Sequence, residues 1–325
     1  MEICSNHKWW KLKNLPHPIS TSVHQYISTS VHHPISISVH QYISTSVHQY
    51  ISTSVYEYIS ISFFLLLHFV ATSQSDSTLL QWSLQATIQV PVTHLTTDKV
   101  HQVYVITPDN ILIKYSPDGK ELFRYSNTRM GILQSIDVTD PFQLLLFYPD
   151  YRTVQVLDRT LSPVSKWQFD EEDVRAIAMS SDNNLWIYDY WTGQLKKVDR
   201  NNNVLHSSPL LSALLRDNTS PTQLSERDNF LYALFPGKGI LRFDRYGQWV
   251  NTLPVLPQAD FQVADQQLFY REGACLMAFH LTTLLTTAFL LPEREHKGKE
   301  VRLEGNYLFC TDEVGVRVYK SPNTD

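Results

Sequence analysis

The sequence has few of the groups on which covalent, metal or phosphate chemistry depends. It contains three cysteines, Cys4, Cys275 and Cys310, and no two of them have the spacing of a metal-binding pair. It has no Gly-x-Ser-x-Gly motif, and the Gly-Lys-Gly segment at 237–239 is too short for a phosphate-binding loop and suits a tight loop between strands. The common signatures of a serine hydrolase, a cysteine metal site and a P-loop enzyme are therefore excluded.

Long apolar runs are also missing. The segment 59–71, ISISFFLLLHFVA, has an apolar core of about ten residues, whereas a membrane-spanning helix needs about 20. Ala71 and Ser73 stand three and one positions before Gln74, which is the pattern of a secretory cleavage site. A buried strand is the alternative, because no basic residues immediately precede the run. We predict that 59–73 is a signal-peptide-like segment, that the protein is exported to the periplasm or the extracellular space, and that the mature chain has no integral membrane span.

An eight-residue repeat of near-identical copies, such as ISTSVHQY, occupies most of residues 1–58. Its histidines could bind a metal, and its alternation of β-branched and polar residues could form a β-prone arm. We favour a third interpretation, a low-complexity segment that is disordered or lies upstream of the true start. No methionine stands between Met1 and Met130, so a later start would need a non-ATG codon.

An excess of basic charge is absent as well. Residues 1–73 hold three of the 27 Lys and Arg and two of the 32 Asp and Glu, so residues 74–325 hold 24 against 30, a formal charge of −6. A nucleic-acid backbone would call for a basic face. We therefore predict no nucleic-acid partner.

What the chain does contain is a unit that recurs six times between Val103 and Tyr319. Each copy has an apolar run, a short polar loop, a second apolar run and a polar turn. One apolar residue before that turn marks each copy, at intervals of 42, 41, 45, 36 and 40 residues: Tyr115, Leu157, Val198, Phe243, Phe279 and Tyr319. Short runs rich in Val, Ile, Leu, Phe and Tyr, bounded by Asp, Asn, Gly and Pro, indicate strands and turns. A period near 40 residues is typical of propeller blades.

The two chain ends complement each other. The sixth copy stops after its second apolar run, and the segment 79–90, LLQWSLQATIQV, alternates as a strand does. This N-terminal strand can pair with the last copy and remove a free sheet edge. We predict an all-β fold over residues 74–325, a six-bladed β-propeller closed by an N-terminal strand that pairs with the last blade.

The third copy resembles the units of the NHL-type six-bladed propellers. The similarity lies in DNNLWIYDYWTGQLKKVDRNNN, at Asn184, Leu185, Trp186, Ile187 and Asp189 and again at Leu195, Lys197, Val198 and Asp199. The copy beginning at Asp109 is similar in its second half. The resemblance covers about 240 residues, and it implies the fold without a function, because such propellers include scaffolds, RNA binders, lyases and lactone hydrolases.

Because the NHL-type family includes lactone hydrolases, the resemblance also implies a possible cation on the propeller axis. We expect the loops between the two apolar runs to share one face, and aspartates occur there in four copies: Asp109, Asp150, Asp189 and Asp312. They would be the ligands of Ca²⁺ or Zn²⁺ in a metal-dependent hydrolase or lyase. The competing interpretation, which we favour, is that each Asp satisfies backbone N–H groups of its own loop and that no cofactor is present.

Two further residue types are isolated in the repeat region. Cys275 and Cys310 fall in neighbouring copies, so they could form a disulfide, although isolated thiols are more often buried as apolar groups. The five histidines of this region show no partner spacing that would indicate nucleophilic catalysis: His94, His101, His206, His280 and His296. The acidic segment 170–173 is predicted to be an exposed connection between blades, and the charged segment 293–300 is predicted to be an exposed loop.

The same loops are rich in residue types that anchor interfaces, and we expect about half of these residues to pack between blades instead. They are Tyr148, Tyr151, Arg152, Tyr190, Trp191, Phe235, Lys238 and Arg271. We predict a non-catalytic binding or scaffold propeller of the cell envelope that holds a protein or peptide on this face. The metal-dependent enzyme and a carbohydrate binder are the alternatives.

Overall fold

The computed structural model describes residues 82–292 and 300–321, all of which belong to the compact unit Ser77–Asp325. These residues form six four-stranded antiparallel sheets, arranged as the blades of a propeller. The predicted fold class is confirmed. The octapeptide repeat and the signal-peptide-like segment lie outside the described residues.

The first three blades follow one another along the chain. Blade 1 comprises β2 (His94–Thr97), β3 (Val103–Ile106), β4 (Ile111–Tyr115) and β5 (Glu121–Ser126). Blade 2 comprises β6 (Ser135–Asp140), β7 (Gln143–Tyr148), β8 (Thr153–Leu157) and β9 (Pro163–Gln168), with a 3₁₀ turn at Pro149–Tyr151. Blade 3 comprises β10 (Val174–Met179), β11 (Leu185–Asp189), β12 (Gln194–Val198) and β13 (Val204–Ser207).

The remaining blades complete the circle. Blade 4 comprises β14 (Gln223–Arg227), β15 (Phe230–Phe235), β16 (Gly239–Asp244) and β17 (Trp249–Leu253), and the short helix α1 (Leu211–Leu215) precedes it. Blade 5 comprises β18 (Gln262–Ala264), β19 (Gln267–Glu272), β20 (Cys275–His280) and β21 (Thr286–Leu290). Blade 6 comprises β22 (Val301–Glu304), β23 (Tyr307–Thr311) and β24 (Gly315–Lys320), and its outer strand is β1 (Ser83–Gln89).

The closure of the ring is the one predicted from the two chain ends. Strand β1 pairs antiparallel with β24, from Ser83 opposite Lys320 to Gln89 opposite Gly315. The first described strand thus completes the last blade, which has four strands like the other five. The ring holds itself closed with backbone hydrogen bonds as well as with apolar packing.

The repeat markers occupy equivalent places in the fold. All six stand at or near the end of the third strand of a blade, and in blades 1 to 5 the polar turn after the marker leads to the fourth strand. In blade 3, the Asp199 carboxylate accepts hydrogen bonds from the backbone N–H groups of Asn201 and Asn203 at 2.8 and 2.9 Å. Gly119, in the corresponding turn of blade 1, has φ +86°, a conformation that glycine adopts without strain.

The core lies between neighbouring blades rather than at the centre of the ring. Two aromatic side chains show this arrangement: Trp167 of blade 2 packs with β10 and β11 of blade 3, and Trp186 of blade 3 packs with β14 and β15 of blade 4. Cys275 and Cys310 are both buried. In the part of the chain that the structure describes, no helix is long and apolar enough to cross a membrane.

Candidate functional site

One face of the propeller carries the loops that the sequence singled out. Strand direction alternates across each blade, so the loops between second and third strands lie on the same side as the connections between blades. We call this side the loop face. It includes residues 149–152 of blade 2, the connection 169–173, and residues 190–193 of blade 3.

Five large apolar or aromatic side chains are exposed along one sector of the loop face. Their exposed fractions range from 43% to 70%, and we call them the apolar arc: Ile132, Tyr151, Tyr190, Trp191 and Leu210. Backbone contacts join their loops. The N–H of Ile132 donates to Asp150, the residue before Tyr151, and the N–H of Leu211, beside Leu210, donates to the carbonyl of Gly193 at 3.0 Å. The apolar arc therefore runs from the entrance of blade 2 to the entrance of blade 4.

Two arginines fix the aromatic part of the arc. The guanidinium of Arg152 lies over the Trp191 ring, 5.8 Å from its centroid, and that of Arg175 lies 5.1 Å from the Tyr190 centroid. Arg152 also donates to the carbonyl of Asp170 at 3.1 Å. These contacts, one from blade 2 and one from blade 3, hold the two rings of blade 3 in place while leaving them exposed.

Asp189 positions the loop that carries Tyr190 and Trp191. Its carboxylate is buried and accepts hydrogen bonds from Lys196 at 2.8 Å, from Thr192 at 2.7 Å and from the backbone N–H of Asp173 at 3.1 Å. Burial by itself would raise its pKa, but the hydrogen bonds from Lys196 and Thr192 outweigh it, so the pKa lies below its ordinary value. Asp189 is thus an ionised anchor of the arc.

The other predicted face residues divide into two groups. Tyr148 and Phe235 are buried, at 1% and 0% exposure, and this corrects their assignment to the binding face. Each ends the second strand of its blade, where its ring points into the packing between blades. Lys238 is exposed and pairs with Asp217 at 2.7 Å, and Arg271 is half-buried and donates to the carbonyl of Gly273 at 2.9 Å. Neither belongs to the apolar arc.

Three of the four aspartates of the metal hypothesis accept hydrogen bonds from loop groups, and Asp189 is described above. Asp312 accepts hydrogen bonds from the N–H groups of Val314 and Gly315 and from Arg317. Asp150 receives the N–H of Ile132, and Asp109 is exposed. Over residues 82–292 and 300–321, no group of three or more His, Cys, Asp or Glu is arranged to hold a metal ion.

A second feature is a channel on the propeller axis, where we had predicted only a possible cation. The inner strands of all six blades line a channel of about 260 Å³. Its ionisable side chains come mainly from blades 4, 5, 6 and 1, with Asp137 added by blade 2, and the others are Arg227, Asp260, Glu300, Arg302, Glu304 and His94. Blades 2 and 3 contribute apolar groups, among them Ile136, Val138 and Ile177.

Most of these ionisable groups are paired. His94 lies 2.8 Å from Glu300, whose other oxygen accepts the N–H of Leu95, and Arg302 lies 2.5 Å from Asp260. One expectation needs correction: Glu300, which was assigned to an exposed loop, faces the channel. Its partner His94 is 206 residues away in the sequence. A pair so distant leaves no spacing signal, because only closure of the ring brings blades 1 and 6 together.

Side-chain amides also bind one inner strand to the next. Gln223 of blade 4 contacts both the N–H and the carbonyl of Phe261, at 3.0 and 2.8 Å. Gln262 of blade 5 makes the same pair of hydrogen bonds to Leu303, at 3.0 and 2.9 Å. Each amide replaces a missing backbone partner between blades, so the channel wall is held rigidly there.

Comparison with known proteins supports the fold. No protein-family model and no curated protein sequence matches the chain. The structure is similar to the WD40 domain of Neurospora crassa Pan2, with a TM-score of 0.52 and 12% identity over 77% of this chain and 98% of that chain. Virginiamycin B lyase from Staphylococcus aureus aligns with a TM-score of 0.48 and 12% identity over 70% of this chain and 80% of that chain. BamB from Moraxella catarrhalis aligns with a TM-score of 0.41 and 11% identity over 74% and 85%. At such identities only the fold is shared. The similarities to the lyase and to BamB, with the two lower TM-scores, indicate nothing about function.

Proposed function

We propose that this propeller is a binding module that holds a protein or peptide on its loop face. The observation that carries the proposal is the apolar arc, in which Tyr151, Tyr190 and Trp191 stay 56%, 43% and 61% exposed while arginines hold two of the rings in place. Large aromatic side chains kept at the surface and already ordered lose little entropy on binding. Tyr, Trp and Arg are also the residues that dominate interface energies.

Charge around the arc indicates the chemistry of the partner. Asp170 and Glu171 are exposed between Tyr151 and Tyr190 along the chain, and residues 74–325 carry a formal charge of −6 (24 basic against 30 acidic). A partner segment with apolar anchors next to a lysine or arginine would match both features. A carbohydrate ligand is the alternative, because it could stack on the same aromatic rings. The experiment below distinguishes a carbohydrate from a peptide.

The test selects peptides from a random displayed library on the full chain and measures their affinities for variants. We expect enrichment of peptides with apolar residues next to basic ones. Tyr151→Ala combined with Trp191→Ala should weaken binding at least about thirtyfold, since an aromatic hot spot contributes about 2 kcal/mol or more. Trp249→Ala is the matched control, because Trp249 is 44% exposed on the outer strand β17, away from the arc.

Three results would overturn the proposal. The selection could yield no peptide, the selected peptides could bind the double variant as tightly as the unchanged protein, or soluble glycans could bind in a Trp191-dependent way where peptides do not. A thermal midpoint equal to that of the unchanged protein ensures that the double variant is folded.

Export to the envelope stays a prediction. Sequencing of the mature N-terminus would decide it: a start at Gln74 supports export, and an intact octapeptide repeat contradicts it.

A further inference from the structure

The axial channel contains two groups of opposite charge that form no direct ion pair with each other. Arg227 ends β14 in blade 4 and Glu304 ends β22 in blade 6, so both lie toward the same end of the channel. Both side chains are partly exposed to it. Unlike His94 with Glu300 or Arg302 with Asp260, they form no direct ion pair in the part of the chain that the structure describes.

Both groups have unused hydrogen-bonding atoms. Arg227 donates its Nε–H to the carbonyl of Val263 at 3.3 Å, and among the described residues nothing accepts from its two Nη groups. Glu304 accepts at Oε1 from Thr97 at 3.2 Å and from Gln262 at 2.7 Å, and no described group donates to Oε2. The fork of Arg227 suits a carboxylate. The free oxygen of Glu304 suits an ammonium or hydroxyl donor.

The rest of the channel limits the size and polarity of what could bridge the pair. Its volume of about 260 Å³ is below the roughly 300–1,000 Å³ of drug-sized sites. Ile136, Val138 and Ile177 line it with apolar groups, and Asp137 is occupied by the N–H groups of Thr139 and Met179 at 2.8 and 2.7 Å. A ligand with only one charge would leave either Arg227 or Glu304 enclosed without a counter-charge, which is costly.

We propose that the channel binds a free α-amino acid with an apolar side chain. The α-carboxylate would accept from the two Nη groups of Arg227, the α-ammonium would donate to Oε2 of Glu304, and the side chain would contact Ile136, Val138 and Ile177. This site is separate from the apolar arc, so the proposal of amino-acid binding does not depend on the proposed peptide binding.

The environment of Glu304 gives the binding a pH dependence. Burial raises its pKa to about 7. The hydrogen bond from Thr97, Arg227 from blade 4 and Arg302 in its own strand oppose the rise, and Asp98 from blade 1 adds to it. Only the ionised carboxylate pairs with an ammonium group. Affinity should therefore increase as the pH rises from 6 to 8, and this increase should be absent in Glu304→Gln.

The experiment titrates the full chain with L-leucine by calorimetry at pH 8. Leucinamide, which lacks the carboxylate, and the α-hydroxy analogue of leucine, which lacks the ammonium, each should bind at least about tenfold more weakly. Arg227→Gln and Glu304→Gln should weaken leucine binding by a similar factor. Arg245→Gln, in an exposed turn outside the channel, is the matched control.

Absence of binding at millimolar leucine would overturn the proposal, and so would equal affinity for leucine and leucinamide or unchanged affinity in Arg227→Gln. The comparison of ligand analogues needs no substitution, so it decides the matter even if a channel variant does not fold. The double variant at Tyr151 and Trp191 should bind leucine normally, which separates a failure of this site from a failure of the apolar arc.

Discussion

At the scale of single residues, Glu226 shows how the blades are joined. Its carboxylate is buried in blade 4 and accepts hydrogen bonds from three residues of blade 3: the Ser180 hydroxyl at 2.7 Å, the N–H and hydroxyl of Ser181 at 2.9 and 2.6 Å, and the indole N–H of Trp186 at 2.5 Å. The ammonium of Lys197 lies 3.8 Å away. A buried carboxylate with so many donors behaves as a connector between two sheets.

Glu226→Gln should reduce the free energy of unfolding by about 3 kcal/mol, because the remaining amide accepts fewer and weaker hydrogen bonds and leaves buried donors unpaired. Urea denaturation of the full chain measures the loss. Glu313→Gln is the control, because Glu313 is exposed in a loop and its loss should change stability by less than about 0.5 kcal/mol. Equal effects of the two substitutions would contradict the assigned role.

The effect of Glu226 should also depend on pH. Burial acts to raise its pKa, but the hydrogen bonds from Ser181, Ser180 and Trp186 outweigh it and lower the pKa below the ordinary 4.5. The unfolded chain therefore binds more protons than the folded protein just below pH 4.5. The stability advantage over Glu226→Gln should be complete above pH 4.5 and should shrink as the pH falls through the folded-state pKa. An advantage independent of pH would contradict this.

Buried carboxylates that join two blades are the residues whose role is hardest to predict from the sequence. The aspartates that end strands and hold turns could be predicted, because their partners are two to four positions away, as at Asp199 and Asp312. Glu226 and Glu300 could not, because their donors lie about 45 and 205 positions away. Tyr148 and Phe235 were misplaced for a related reason: a residue at the end of a strand can point either to solvent or into the neighbouring blade.

At the scale of elements, the closure of the ring depends on a close approach of β1 to β24. A Cβ added at Gly315 would lie 2.0 Å from the carbonyl oxygen of Ile88 and 2.9 Å from the nitrogen of Val90. Glycine is therefore required there by the neighbouring backbone. The alternating N-terminal strand was predictable because the last repeat lacked its outer strand, but the contact at Gly315 was not.

Gly315→Ala should destabilise the full chain by about 2–4 kcal/mol, since the two backbones must separate to admit the methyl group. Gly273→Ala is the matched control, because Gly273 has φ +58° and no atom within 4 Å of the added Cβ, so it should cost only about 1 kcal/mol of backbone strain. Faster hydrogen exchange within Ser83–Gln89 in Gly315→Ala alone would locate the damage. Equal costs for the two alanines would refute the requirement at β1.

At the scale of the whole molecule, the period and the number of blades followed from the sequence because the second and third strands of each blade carry the repeated pattern. The inner strands do not repeat in composition. In blade 3 the inner strand reads VRAIAM, and in blade 6 it reads VRLE. The channel is built from these inner strands, so its paired charges and its volume became visible only once the ring was closed.

The apolar arc is likewise a property of the assembled ring. Tyr151, Tyr190 and Trp191 were predicted for the face, but Ile132 and Leu210 were not, because they stand in connections between blades with no repeat to mark them. Arg175, whose contact keeps Tyr190 ordered, lies on an inner strand. The sequence therefore predicted the type of surface, and the fold determined its extent.

Hydrogen–deuterium exchange of the full chain, with and without a peptide selected on it, tests binding at the apolar arc most directly. Binding at the arc should slow exchange at residues 149–152, 169–175 and 190–193, and the Tyr151→Ala, Trp191→Ala double variant should show no such change. Protection confined to the outer strands, or to the turns on the opposite face, would contradict it.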